Sequence, residues 1–120
     1  MLIILEGIDG SGKSTLYWGL EERLADINPL FTREPGSPYL GDAVRRAIAE
    51  NSDPLAEAAL FVADHAVHLA TVVRPALEEG RVVISDRYSD SRFAYQQVSL
   101  AGHHPSPKSW LTAVHARWSI

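Results

Sequence analysis

Cysteine is absent from the 120 residues, which excludes disulfide scaffolds and thiolate metal sites. Excess base is missing too. Eleven lysines and arginines against fifteen acidic residues leave a net charge of −4. That is the wrong sign for a nucleic-acid groove, which needs clustered positive charge. No uninterrupted apolar run approaches the length that spans a bilayer. Met1 leads straight into a strand-type segment, so neither a membrane anchor nor a signal peptide is expected. Repeats and low-complexity stretches are lacking as well. A reducing cytoplasm suits such a chain, and its length allows one domain, 1–120, with a modest core.

What is present is concentrated at the start. Leu2 to Leu5 form an apolar strand-type run, Gly7 to Ser14 spell G-x-x-x-x-G-K-S, and Thr15-Leu16 open a helical pattern. Strand, glycine loop and helix together are the context in which this motif cradles phosphate. Gly7, Gly10 and Gly12 let successive main-chain N–H groups turn inward as an anion nest, and the following helix aims its positive end at the same point. Lys13 reaches toward β- and γ-phosphates, while the Ser14 hydroxyl suits Mg²⁺. A nucleotide-phosphate site is the expectation.

Further along, Leu16, Leu20 and Leu24 recur at helical spacing, predicting a helix over 14–26 with these leucines inside. Leu30 to Thr32 reads as a strand, followed by a rigid loop at 33–38. A helix over 40–50 is expected to bury Val44 and Ile48. Ser52 or Asp53 then caps a long helix from Pro54 to about Glu79, kinked near Pro75. Val82 to Ser85 is a β-branched run of the kind found in buried parallel strands. Helices over 88–100 and 108–118 complete the pattern, the last with a packing stripe of Trp110, Val114 and Trp118. His103 and His104 lie in a loop without acidic neighbours, which reads as solvated loop and not as a metal site.

Strands alternating with helices predict an α/β fold, a parallel sheet with right-handed crossovers and ligands outside the carboxyl ends of the strands. All three strands end in polar clusters: Gly7–Ser14, Arg33-Glu34 and Asp86-Arg87. Asp86 sits where a carboxylate can hold Mg²⁺ through water, and Arg87 offers a planar fork to a phosphate.

The motifs EGIDGSGKS, TREPG and DRYSDSRFAYQ, in that order and with LFVAD (Leu60–Asp64) between, resemble the thymidylate kinase family over essentially the whole chain. The resemblance implies a P-loop NTPase fold of nucleoside-monophosphate-kinase type. It also implies ATP- and Mg²⁺-dependent phosphorylation of dTMP to dTDP, in homodimers packed through helices. ATP phosphates would be held by Gly7, Ile8, Asp9, Gly10, Ser11, Gly12, Lys13, Ser14 and Thr15, and Mg²⁺ by Ser14 and Asp86. Asp9 would approach the deoxyribose 3′-hydroxyl, and Arg45 and Arg87 would hold the dTMP phosphate. Lys13, Arg45 and Arg87 thus become the expected catalytic groups. Glu34-Pro35, whose peptide bond the resemblance makes a candidate for cis, would shape the sugar–phosphate pocket. Phe61 would stack on thymine, Tyr95 would crowd the 2′ position, and Gln96 would lie beside the base. In isolation Phe61 reads equally well as a core aromatic.

Three departures from the family pattern stand out. His65 occupies a position where many members carry an arginine that contacts the base, and Arg92 occupies one that is usually small or an amide. Arg92 either supplies the cation that His65 does not or points at phosphate. The pattern also continues, past the end of this sequence, with two more strands, a mobile lid carrying catalytic arginines, and an adenine-contacting loop. The expectation is therefore the N-terminal part of a kinase domain with negligible turnover by itself. The competing expectations are a P-loop kinase of another nucleotide or nucleoside, with Glu34 as the obvious candidate base, and a binding module without catalysis.

Overall fold

The computed structural model describes residues 1–118 and 120. Three short strands, β1 (Leu2–Leu5), β2 (Leu30–Arg33) and β3 (Val83–Asp86), form one parallel sheet in the order β1-β3-β2. The central place of β3 follows from its composition. Val83 and Ile84 are fully enclosed and Ser85 nearly so, which only a strand covered on both faces achieves. β3 runs one residue later than its apolar run predicts, carrying Asp86 to the end of the sheet. Register then aligns the three ends, with Leu5 and Arg33 both opposite Asp86. The next residue of each strand, Glu6, Glu34 or Arg87, leaves the sheet at one level.

Helices α1 (Lys13–Arg23), α2 (Leu40–Ala49), α3 (Pro54–His68), α4 (Arg74–Glu78), α5 (Ser89–Ser99) and α6 (Pro107–His115) cover the sheet and one another. In α1 the buried residue is Tyr17, edge-on to Phe31 at 5.1 Å, whereas Leu16 is 52% exposed and Leu20 and Leu24 are half-buried. An aromatic one position on has displaced the leucine stripe, because Tyr17 reaches the face of β2. The helix gives way to a 3₁₀ turn at Ala25–Ile27. In α2 Val44 is inside as expected, but Ile48 is 48% exposed and faces the larger cavity described below.

Asp53 caps α3, accepting from the N–H groups of Leu55 and Ala56 at 3.0 Å, with Pro54 in the first turn. Helix continues through a π turn at Leu69–Val73 into α4. There Arg74 N–H bonds to the Leu69 carbonyl five residues back. The expected kink near Pro75 takes this form, since a wider turn accommodates the proline ring and its missing donor. Pro54–Glu78 is long and apolar enough, by length and composition alone, to cross a membrane. It nevertheless buries Asp64, His65 and His68 inside the domain.

Leu69, Val73, Ala76, Val83 and Tyr88 form one apolar cluster against the sheet. Ala58, Leu100 and Leu111 form another, with Phe93 and Trp110 on its flank. In α6 the buried positions are Leu111 and His115, not the expected tryptophan stripe. The helix ends at His115, so Trp118 falls outside its helical phase.

Candidate active site

The glycine loop leaves β1 at Glu6 and enters α1 at Lys13. Gly10 and Gly12 have φ of 80° and 86°, values that a Cβ would strain, and Gly12 is the residue at the mouth of α1. A Cβ at Gly7 would meet the Ser11 side chain, Oγ at 2.6 Å and Cβ at 3.3 Å, so Ser11 would have to shift to admit one. Lys13 forms an ion pair with Asp86, so the loop's ammonium group and the carboxylate at the end of β3 meet across the strand ends. Ile8, Asp9, Gly10, Gly12, Lys13, Ser14 and Thr15 line a cavity of about 320 Å³.

A larger cavity, about 580 Å³, borders the first at Asp9. Of the residues expected at the acceptor, Asp9, Glu34, Pro35, Phe61, Arg87, Arg92, Tyr95 and Gln96 all lie in its wall. Arg87 is fixed from several sides. Its guanidinium bonds Asp9 at 3.1 Å and Ser91 Oγ at 2.9 Å, and lies over the Tyr95 ring at 5.5 Å. Its backbone takes φ 73°, held by Ser85 Oγ donating to the Arg87 carbonyl at 2.7 Å. A non-glycine residue in that region costs about 1–3 kcal/mol and persists where its surroundings enforce it. Arg45 stands outside the wall, exposed, donating to the Pro35 carbonyl at 3.3 Å and to Asp42 at 2.7 Å.

Beneath the larger cavity, charges are buried together. Glu34 accepts from His65 Nδ1 at 2.7 Å, His68 Nδ1 at 3.2 Å and Arg92 Nη2, and all four side chains are enclosed. Burial alone would raise the Glu34 carboxyl. Hydrogen bonds from His65 and His68, with the Arg92 charge, outweigh it and hold the group at about 2. Arg92 Nη1 donates to the Phe61 carbonyl at 2.7 Å, with the guanidinium 5.9 Å from the Phe61 ring. Arg92 is thus committed to Glu34 and to the Phe61 side of the wall. His65 is not in the wall at all; it lies fully buried behind Glu34.

Several contributors escaped the sequence reading. Glu6 accepts from the N–H groups of Tyr88 and Ser91 at 2.9 and 3.3 Å and from the Ser91 hydroxyl, which pins the start of α5 to the end of β1. Asp64 accepts from the Gly36 and Ser37 N–H groups at 3.0 and 2.9 Å and from Ser37 Oγ at 2.6 Å, seating the loop after the cis Glu34–Pro35 bond. His68 bridges Thr32 and Glu34. The position of Glu6 directly after the first strand was the one signal available for it. Asp64 and His68 gave none, since nothing local shows what an inward polar residue on an apolar helix will meet.

A parallel sheet with a glycine loop between its first strand and first helix, and a basic, pocketed strand end beside it, defines a fold of the P-loop NTPase class. Comparison with known proteins narrows this. Residues 5–104 match the family described as thymidylate kinase, and the chain belongs to that family. It is 72% identical over 120 residues to a probable thymidylate kinase of Methanocorpusculum labreanum, covering all of this chain and 61% of that one. Against a probable thymidylate kinase of Methanoculleus marisnigri it is 67% identical, covering 58% of the relative. The crystal structure of thymidylate kinase from Ehrlichia chaffeensis superposes with a TM-score of 0.83 at 34% identity, covering all of this chain and 68% of that one. The chain spans about three fifths of the length of these curated relatives.

Proposed function

We propose that this chain is the nucleotide-binding part of an enzyme that transfers the γ-phosphoryl group of ATP to dTMP, giving dTDP. One observation carries the reading: two cavities meet at Asp9, one walled by Lys13 and the glycine loop, the other by Arg87, Arg92 and Phe61. Donor and acceptor phosphates bound in them would face each other across the Asp9–Arg87 pair.

In this reading the loop N–H groups from Gly7 to Thr15 hold the donor phosphates, and Lys13 balances charge that develops on the transferring group. The Asp86 carboxylate, which meets Lys13 at the strand ends, and the Ser14 hydroxyl in the wall of the smaller cavity are the ligand types a hard divalent cation takes alongside phosphate oxygens. Ser14 and Asp86 would hold Mg²⁺, which when bound neutralises phosphate charge.

On the acceptor side Arg87 and Arg45 hold the dTMP phosphate, and Asp9 takes the 3′-hydroxyl. Glu34 and Pro35 shape the sugar end, and Tyr95 crowds a 2′-hydroxyl. Phe61 stacks on the base, with Gln96 and Arg92 around it and His65 behind them, acting through Glu34. Homodimer formation through the helices and a cytoplasmic setting complete the reading. A nucleoside acceptor would need a carboxylate base at its 5′-hydroxyl. Glu34, held at about 2 and already accepting from three donors, is unsuited to that task.

The test is a coupled assay of the full-length enzyme with dTMP, dUMP, dCMP and thymidine, alongside calorimetry with ATP. Preferred turnover of dTMP is expected. Binding of ATP without turnover of any acceptor would instead make this a binding module.

A further inference from the structure

We propose that His68 is a positioning residue for acceptor recognition: it ties the Glu34–Arg92 pair in the cavity wall to strand β2 through Thr32. The inference rests on the larger cavity being the dTMP site.

His68 is fully buried, yet both ring nitrogens are engaged. Nε2 lies 2.7 Å from Thr32 Oγ1 and Nδ1 lies 3.2 Å from Glu34 Oε1. A carboxylate only accepts, so His68 Nδ1 carries the hydrogen, and in the neutral ring Nε2 accepts from the Thr32 hydroxyl. The bonds therefore run in one direction, from Thr32 through His68 to Glu34. On its other oxygen Glu34 takes Arg92 Nη2, and Arg92 Nη1 holds the Phe61 carbonyl. The Glu34 backbone already continues β2 and bonds the Asp86 carbonyl at 3.1 Å, and His65 shares Oε1 at 2.7 Å. His68 adds the side-chain link that sets the carboxylate, and with it Arg92 and Phe61, against Thr32 of the sheet.

The loop on the opposite side depends on the same ring. A Cβ on Gly36 would lie 3.2 Å from His68 Cδ2 and Nε2, so the chain after Pro35 is laid directly against the imidazole. Plain core filling does not require these features. An apolar side chain of similar volume would pack there without two hydrogen bonds to satisfy, and buried polar groups are retained at no gain over well-packed apolar ones. None of these contacts reaches the glycine loop. The dependence is confined to the acceptor side.

The experiment compares His68→Phe, His68→Asn, Thr32→Val and Arg92→Met, and the double variant of His68→Phe with Arg92→Met, in the full-length enzyme, with melting curves for each. His68→Phe is expected to raise KM for dTMP about tenfold and to lower the dTMP-over-dCMP ratio of kcat/KM by a similar factor, leaving KM for ATP within about twofold. His68→Asn, whose amide N–H can take the place of Nδ1, should restore most of the loss. In the Arg92→Met background His68→Phe should add less than about twofold, because both act through Glu34. Equal rises in both KM values, multiplicative effects in the double variant, or no rescue by asparagine would overturn the proposal. If His68→Phe does not fold, Thr32→Val decides: a raised dTMP KM with unchanged ATP KM supports the relay, and an unchanged dTMP KM overturns it. A wild-type enzyme inert toward dTMP overturns the substrate reading and this inference with it. An active wild type whose dTMP KM ignores His68 overturns this inference alone.

Discussion

Gly7 to Ser14 present main-chain N–H groups, held open by positive-φ glycines, in eight consecutive residues. The wall around Glu34 is made the opposite way, from side chains of β2, α3 and α5 that are 27 to 58 residues apart in sequence and enclosed from water. A backbone cradle tolerates change in most of its side chains and fails at its glycines and its one lysine. A buried set of charges fails at any member, because removing one partner leaves the others uncompensated in a poorly polarisable surrounding. Chemistry is thus lost from the first region with the fold intact, whereas the second loses fold and recognition together.

The comparison breaks most sharply at Lys13. Lys13→Ala should cut kcat of the full-length enzyme by about 10³ or more, with a melting temperature within a degree or two of wild type. Wild-type-like turnover would remove Lys13 from the chemistry. Glu34→Ala should behave differently, destabilising by about 3–5 kcal/mol in urea melts because Arg92 is left buried without its carboxylate. A change below about 1 kcal/mol would mean that water or repacking replaces the pair.

Acid should weaken this second region. Burial, then the Arg92 and His65 charges, push buried His115 down to about 4, so its contribution to stability is complete above 6.5 and drains away as pH falls toward 4. Glu34, held at about 2, contributes fully above 4.5 and loses that contribution as pH falls through about 2. Urea midpoints measured from pH 7 to 3 should therefore decline in two stages, and His115→Phe should remove the first. A profile flat down to pH 4.5 in the wild type contradicts this.

Gly36→Ala should cost about 1–3 kcal/mol, since its Cβ would sit 2.1 Å from the Arg33 carbonyl, and should weaken dTMP binding as the loop moves. Unchanged stability would show that the loop repositions freely. Asp53→Ala supplies the baseline. It removes the α3 cap, remote from both regions, for about 1 kcal/mol with KM values unchanged.

How much of this was legible in the sequence follows the same divide. The glycine loop and the buried strand β3 could be read directly, because a contiguous motif and a β-branched run each announce their own surroundings. Glu34, Phe61, Arg92 and Gln96 were placed around one pocket by resemblance, but their pairing was not foreseen. Whether Arg92 meets phosphate, base or Glu34 depends on where α5 lands against β2, which no local pattern records. Ile48 and Leu16 misled for a related reason. Helical periodicity marks an apolar face without saying whether it packs on sheet, cavity or solvent.

The π turn at Leu69–Val73 gives the long helix a change of gear. Upstream of it Asp64, His65 and His68 answer to the pocket; from Val73 at its end and Ala76 beyond, the helix answers to the sheet. Because the wide turn adds a residue without adding a full step of rotation, the two halves keep separate phases. A one-residue insertion or deletion after Val73 would be felt by the sheet-facing half alone, leaving the histidines where they are. One rod therefore carries two independently adjustable surfaces, and the recognition chemistry can drift in sequence without re-indexing the core.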